Sequence, residues 1–411
     1  MSRAASGWPE DRGPARPAAP RAERGVMRMR EQWLDLEWLA VAGWRHGTGG
    51  AGPRRAPLRV RWAGGDLAVG LDGAGLGGGA MAILNRLAIS TGVFARRATA
   101  PGLPAVAPPV PPAAPGAGGP ADDLVIVAAD AAHRAMRMIL AALPPAGGRV
   151  HLVAPGEIAR LEALLARLDP ARTRALIHAA EWSAPTLAAL AMLAGRLPPS
   201  PGRAGPALLI STRAPEAALA LGLGRDAILP LADGPAGAAI GACLDPALAL
   251  AIGADARAEL VRGAAEADAH FRTAPPEGNI PLLLGFADLC AGIRRRGADG
   301  AGAPAAAWPE GWADLGAALR AGRGAVAAMA RDVLAEAAPG RSDALARALD
   351  AAPTGAGAEP ALVIAHGGRG PRMLGRLLAL AERRAEVAAE LWAACPLRAA
   401  AGTRRPASGA G

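Results

Sequence analysis

Between residues 123 and 212 the chain repeats one pattern, a short wholly apolar run followed by apolar residues at helical spacing. DLVIVAAD (123–130) leads to Met136, Ile139, Leu140 and Leu143 at i, i+3, i+4 and i+7. RVHLVAP (149–155) leads to Ile158, Leu161, Leu165 and Leu168, and RALIHAA (174–180) to the Leu- and Ala-rich segment 186–197. ALLIST (207–212) is a fourth run. Strands that are apolar on both sides and alternate with helices are buried in a parallel sheet covered on both faces. The predicted fold class is therefore α/β, a doubly wound parallel sheet in an α-β-α sandwich. In such a sheet ligands meet the carboxyl ends of the strands, where loops enter helix N-termini that favour anions. The residues that follow each strand are the ones to question.

Residues 101–122, PGLPAVAPPVPPAAPGAGGPAD, cannot continue a helix or a central strand and form a proline-rich linker. Before it, residues 31–100 read as a small N-terminal α+β region. There EQWLDLEWLAVAGW has near-helical spacing, and LRVRW and DLAVGL are strand-like. Residues 1–30, rich in Arg, Pro and Ala with little periodicity, are predicted to be a disordered basic arm. The main α/β domain is predicted over 123–290.

Several function classes are excluded or disfavoured by what the chain lacks. All 45 basic residues are arginine and there is no tyrosine, so no mechanism can use a catalytic lysine or tyrosine. Residues 1–63 hold twelve arginines against six acids, most of the net charge of +9. Such a segment can meet phosphate backbones, but no aromatic-interleaved basic motif or recognition helix accompanies it, and nucleic acid is not an expected partner. Cys243, Cys290 and Cys395 lie far apart without a CxxC pair, which fits a reducing compartment and argues against zinc or a disulfide framework. His133, His151 and His178 show no metal-ligand spacing, and neither metal nor cofactor is expected. Pro9, Pro14, Pro17 and Pro20 interrupt any signal-peptide run and no apolar stretch of about twenty residues follows. A cytoplasmic protein without membrane contact is predicted. GAGLGG (73–78) satisfies GxGxxG, but no acidic residue closes a following strand about twenty positions on. It reads as a glycine-rich turn.

Residues 257–285, RAELVRGAAEADAHFRTAPPEGNIPLLLG, are more specific. Gly263, Ala264, Asp268, His270, Phe271, Asn279, Pro281, Leu283 and Leu284 stand in the order of the G-A-x-x-M-D-x-H-F and N-x-P-x-L-L stretches of the glucose-6-phosphate isomerase family, which the chain resembles. RVHLVAP with LLARLDPARTRALI resembles that family's second and third strands. GPRMLGRLLALAERR (370–384) with Leu391 and Trp392 resembles its C-terminal helix. The resemblance covers 123–290 and a C-terminal stretch from Pro360 to Cys395. It implies two sugar-isomerase (SIS) domains of doubly wound type. Only 70 residues separate Cys290 from Pro360, so residues 291–411 read as a reduced second SIS domain with a terminal helix and disordered tail. The implied reaction is aldose–ketose isomerisation of glucose 6-phosphate to fructose 6-phosphate through an enediol. A hexose 6-phosphate is the implied ligand, and a homodimer the implied assembly, its contacts expected on the helices at 371–395.

The family's site motifs are altered. Its S-K-T-F-T-T-x-E-T phosphate loop falls on AAEWSAPT (179–186), where Trp182 stands for the aromatic, and Ser183 and Thr186 are the substrate-binding candidates. The lysine is absent there and Glu181 opposes an anion. The G-I-G-G-S turn is VAADAA, with Asp130 in it. G-G-R-[FY]-S falls on LADGPAGAAIG (231–241), with Asp233 at the arginine position and Arg225 a solvated neighbour. The E-S-N-G-K base motif and the ring-opening histidine motif are missing, and LRAAAGTRRP replaces the final lysine motif. No catalytic residue is assigned. His366, beside Arg369 and Arg372, and His270 are open to an acid–base role but read as structural. The expected protein keeps the family scaffold with isomerase activity lost or strongly impaired, the alternative being a non-catalytic sugar-phosphate-binding or interaction module. A surviving ligand site is expected near Ser183, Thr186 and the turn 231–237.

Overall fold

The computed structural model describes residues 32–36, 59–62, 66–71, 76, 78–99, 102–104, 122–179, 181–197, 207–231, 238–245, 248–299, 327–329, 332–336, 344–351, 362–368 and 370–394. The predicted basic arm, the predicted C-terminal tail, most of the proline-rich linker and of the turns at 73–78 and 231–237, and Arg369 and Cys395 lie outside the described residues.

After a helical stretch at 32–36 come β1 (Arg59–Arg61), β2 (Leu67–Gly70), α1 (Gly78–Ser90) and α2 (Val93–Thr99). The alternating region follows as β3 (Asp123–Ala128), α3 (Asp130–Ala142), β4 (Arg149–Val153), α4 (Ile158–Leu165), β5 (Thr173–Ala179), α5 (Ala184–Arg196), β6 (Leu208–Thr212), α6 (Pro215–Ala220) and β7 (Ile228–Pro230). Then come α7 (Ala238–Leu244), α8 (Leu248–Ile252), α9 (Ala254–Thr273) and α10 (Ile280–Asp299). The last elements are β8 (Ala327–Met329), β9 (Asp332–Glu336), α11 (Ala344–Ala351), β10 (Leu362–His366) and α12 (Pro371–Ala393).

Five strands form a wholly parallel sheet in the order β4-β3-β5-β6-β7. Alternation along each strand divides its side chains between two cores. Leu124, Ile126, Leu176 and Leu209 join one with Met136, Ile139, Leu260 and Leu377 of α3, α9 and α12. Val125, Val127, Ile177 and Ile210 join the other with Leu161, Leu165, Ala189 and Leu193 of α4 and α5. Both faces are covered, which is the doubly wound arrangement the apolar runs predict. Chain order reverses between β3 and β5, so their carboxyl ends flank the topological switch point.

At the amino-terminal edge of this sheet, opposite the carboxyl ends, the buried Asp123 carboxylate accepts Arg149 Nη2–H at 2.8 Å and Nε–H at 2.9 Å, and lies 2.7 Å from His151 Nε2. The Arg149 fork, opposed by burial and helped by His151, holds this carboxyl below the usual range. Its folded value lies under an unfolded value of about 3.9. The stabilisation is therefore present above that value and is lost as pH falls through the folded pKa. Asp123→Asn is expected to lower the urea midpoint at about pH 7, with the gap from the parent closing below about pH 4. A gap that stayed constant through the acid limb would refute the linkage.

The second sheet, β1-β2-β10-β9-β8, takes strands from both halves of the chain. β2 is antiparallel to β1 and to β10, β10 is parallel to β9, and β8 is antiparallel to β9. α11 covers it, with Leu345 and Leu349 against Ala68, Val363 and Ala365. Between the sheets α12 runs almost entirely buried, from Met373 to Trp392. The predicted helix around Trp33 is present at 32–36, where Trp33 meets Trp392 edge-on at 6.5 Å.

Three glycines let α9 and α10 reach α12. A Cβ on Gly263 would overlap the Arg372 carbonyl, and one on Gly375 the Leu260 carbonyl. One on Gly285 would lie 2.7 Å from Val387 Cβ. The charges that α12 buries are all paired: Arg376 with Asp66 and Glu266, Arg383 with Asp268 and Glu386, and Arg384 with Asp288. Glu382 accepts the Ile240 N–H at 2.7 Å.

Candidate functional site

The switch-point crevice is floored by the ends of β3 and β5. Ser183 caps α5 in extended conformation (φ −107°, ψ 160°). Its Oγ accepts the Thr186 N–H at 3.3 Å, and the two hydroxyls share a hydrogen bond of 2.8 Å. The local sequence dictates this, with serine at the N-cap and Pro185 in a first turn that needs no donor there. The two candidates thus come together, one turn apart, with Thr186 buried. Glu181 is exposed in the same loop, and Trp182 leans on the α4/α5 core. Arg213, exposed just past β6, reaches within 4.0 Å of the Cβ position of Gly241 at the start of α7. Its position at a strand end was the signal that could have marked it. Asp233 lies outside the described residues.

Beneath the crevice is a cluster that spacing along the chain does not reveal. His178 on β5 and Ser211 on β6 are register partners. Asp245, just past α7, accepts Ser211 Oγ–H at 2.8 Å and lies 2.6 Å from His178 Nδ1. All three are buried. Arg257 donates to the carbonyls of Leu244 and Asp245 at 2.6 and 2.9 Å and so satisfies the end of α7. Asp245 is 67 residues beyond His178, so only sheet register and the turn after α7 unite them. The carboxylate fixes the orientation of the His178 ring.

The residues that carry the family pattern have other duties. His270 stacks on Trp62 with centroids 4.2 Å apart, and its Nε2 accepts the Ile280 N–H at 3.2 Å. Burial pushes its pKa down, Gly278 opposes this and Arg97 adds to it, so the ring is neutral and caps α10. Asn279 donates to the carbonyl of Phe271 at 2.8 Å and accepts the Leu282 N–H at 3.1 Å, joining the end of α9 to the start of α10. Asp268 accepts from Arg383 at 2.7 Å, from Arg272 at 3.1 Å and from the Leu103 N–H at 3.1 Å. The D-x-H-F and N-x-P-x-L-L stretches are the two halves of a helix–turn–helix clasp.

His366 is buried at the end of β10, its Nδ1 2.7 Å from the Gly368 carbonyl, while Arg372 is turned to Glu266 at 2.9 Å. Among the described residues no cluster of His, Cys, Asp and Glu could hold a metal. Cys243 and Cys290 are buried and form no disulfide, and burial, with Glu382 nearby, pushes the Cys243 thiol far above its ordinary pKa. No described helix is long and apolar enough to cross a membrane.

A parallel sheet with a switch point, helices on both faces and a capped helix N-terminus at the crevice defines a doubly wound α/β protein. Residues 210–298 match the model of the phosphoglucose isomerase family. No curated protein matches the chain. Among solved structures it is similar to a glucose-6-phosphate isomerase from Chlamydia trachomatis, with TM-score 0.55 and 12% identity over 90% of this chain and 91% of that one. That similarity shows the fold. A hypothetical protein from Thermus thermophilus aligns with TM-score 0.47 and 17% identity over 90% and 92% of the two chains.

Proposed function

We propose that this protein keeps the phosphoglucose isomerase scaffold without efficient isomerisation of glucose 6-phosphate and fructose 6-phosphate. The observation that supports this most is the employment of the matched segment: Asp268, His270 and Asn279 all bind helices to one another. The reaction needs a base at the transferred proton, a cation for the enediolate oxygen and a cradle for the phosphate. The crevice loops carry two hydroxyls bonded to each other, a glutamate, and Arg213 at the rim. With neither a base nor oxyanion support placed at the crevice among the described residues, turnover about 10⁴-fold or more below a competent enzyme is expected. A coupled assay on purified full chain, against a preparation free of host enzyme, measures it. Turnover well above that control would overturn the reading and direct attention to Glu181, His270 and His366.

The alternative is binding without turnover, favoured by the helix N-terminus with Ser183 and Thr186 past the end of β5, and by Arg213 past the end of the adjacent β6. A hexose 6-phosphate is then the ligand, a homodimer the assembly, and the cytoplasm the compartment. Glucose 6-phosphate that raises the melting temperature of the parent but not of Ser183→Ala/Thr186→Ala would support it.

A further inference from the structure

A cleft of about 100 Å³ opens between α2, the C-terminal half of α9 and the C-terminal half of α12. It shares no residue with the switch-point crevice. Four arginines and three acids line it. Three of the arginines are paired: Arg96 with Glu390 at 2.9 Å, Arg272 with Asp268 at 3.1 Å, and Arg383 with Asp268 and Glu386 at 2.7 Å each. These pairings engage all three acids.

Arg97 is the fourth. Its guanidinium carbon lies 5.3 Å from the Phe94 ring centroid and 5.9 Å from that of Phe271. Nε and Nη1 are both buried, and neither is bonded to any described group. Burial lowers its pKa, yet a guanidinium keeps its charge in a protein. Aromatic faces hold the cation without using its N–H donors. A desolvated charge with idle donors is costly unless an acceptor reaches it, and the cleft has room for about three water-sized groups.

We infer that this cleft is a binding site for a small anion, the phosphate or carboxylate group of a soluble metabolite, received by Arg97. A fork of guanidinium donors matches either group, and the leftover positive charge selects for anions over neutral ligands.

The test uses the full chain, with inorganic phosphate in one arm and acetate in the other, each against chloride at equal ionic strength. The readout is the concentration dependence of the melting temperature, which rises when a ligand binds only the folded state. One or both anions should stabilise the parent beyond chloride, and the arm that responds names the ligand's head group. Arg97→Met should weaken the response about tenfold or more, and Arg97→Lys, which keeps charge but not the fork, should weaken it less. Either variant suffices if the other does not fold. Arg196→Met, at the exposed end of α5, should leave the response intact. Parent stabilisation no greater than with chloride, an equal response in the Arg97 variants, or loss in Arg196→Met instead would each overturn the assignment.

Discussion

Gly375→Ala is expected to destabilise the protein by about 3 kcal/mol or more, at the upper end of overpacking effects. The added methyl group would overlap the Leu260 carbonyl oxygen and press on the Ala264 backbone nitrogen 3.0 Å away. Backbone atoms of a helix have no rotamer by which to yield, so α9 and α12 must separate along the contact that joins the two sheets. Gly263→Ala should behave alike, because Gly263 meets the Arg372 carbonyl in the reciprocal half of the same contact. Gly195→Ala on α5 is the control. Nothing lies near its Cβ position, and helix propensity alone should stabilise by up to about 1 kcal/mol. Urea unfolding of the three variants decides the matter; a Gly375→Ala midpoint equal to the parent's would show that the helices are not held at this distance.

Asp268→Ala is expected to cost about 3–5 kcal/mol, the usual consequence of removing one partner from a buried ion pair. Arg383 and Asp268 are both almost fully buried, and the same carboxylate holds Arg272 and the Leu103 N–H. Glu386 still contacts Arg383 in the variant but is itself part-exposed and cannot replace the internal charge. The paired variant Asp268→Leu/Arg383→Met should recover a large part of the loss, because replacing both partners by apolar groups removes the uncompensated charge. Additive losses in that double mutant would mean that the two residues act independently, contrary to the geometry.

The parallel sheet was legible because its strands are buried on both faces, which writes a short apolar stretch into each of β3, β5 and β6, even though Arg174 and His178 flank it in β5. β7 escaped because Ile228–Pro230 is too short to show a period. β1 and β2 were legible as strand-like runs, but the second sheet they belong to was not: β2 is completed by β10, and a pairing across so much of the chain leaves no local mark. Ser183 and Thr186 could be read as an N-cap pair from sequence alone. The bridge from His178 and Ser211 to Asp245 could not, since it depends on strand register. Arg97 was equally invisible, because the lack of a partner is a property of packing rather than of residue type. Asp268, His270 and Asn279 were found by resemblance, but their roles became clear only where α9 meets α10.

The pairing of β2 with β10 also sets a timetable for the ribosome. Val363 pairs with Gly70, roughly 290 residues earlier, so at about 5–20 residues per second β2 waits on the order of 15–60 s for its partner. During that interval its open edge offers unpaired N–H and C=O groups to any other strand, including β10 of a second copy. Yield in a heterologous host should therefore depend on chaperone supply and on expression rate more steeply than native stability alone would suggest.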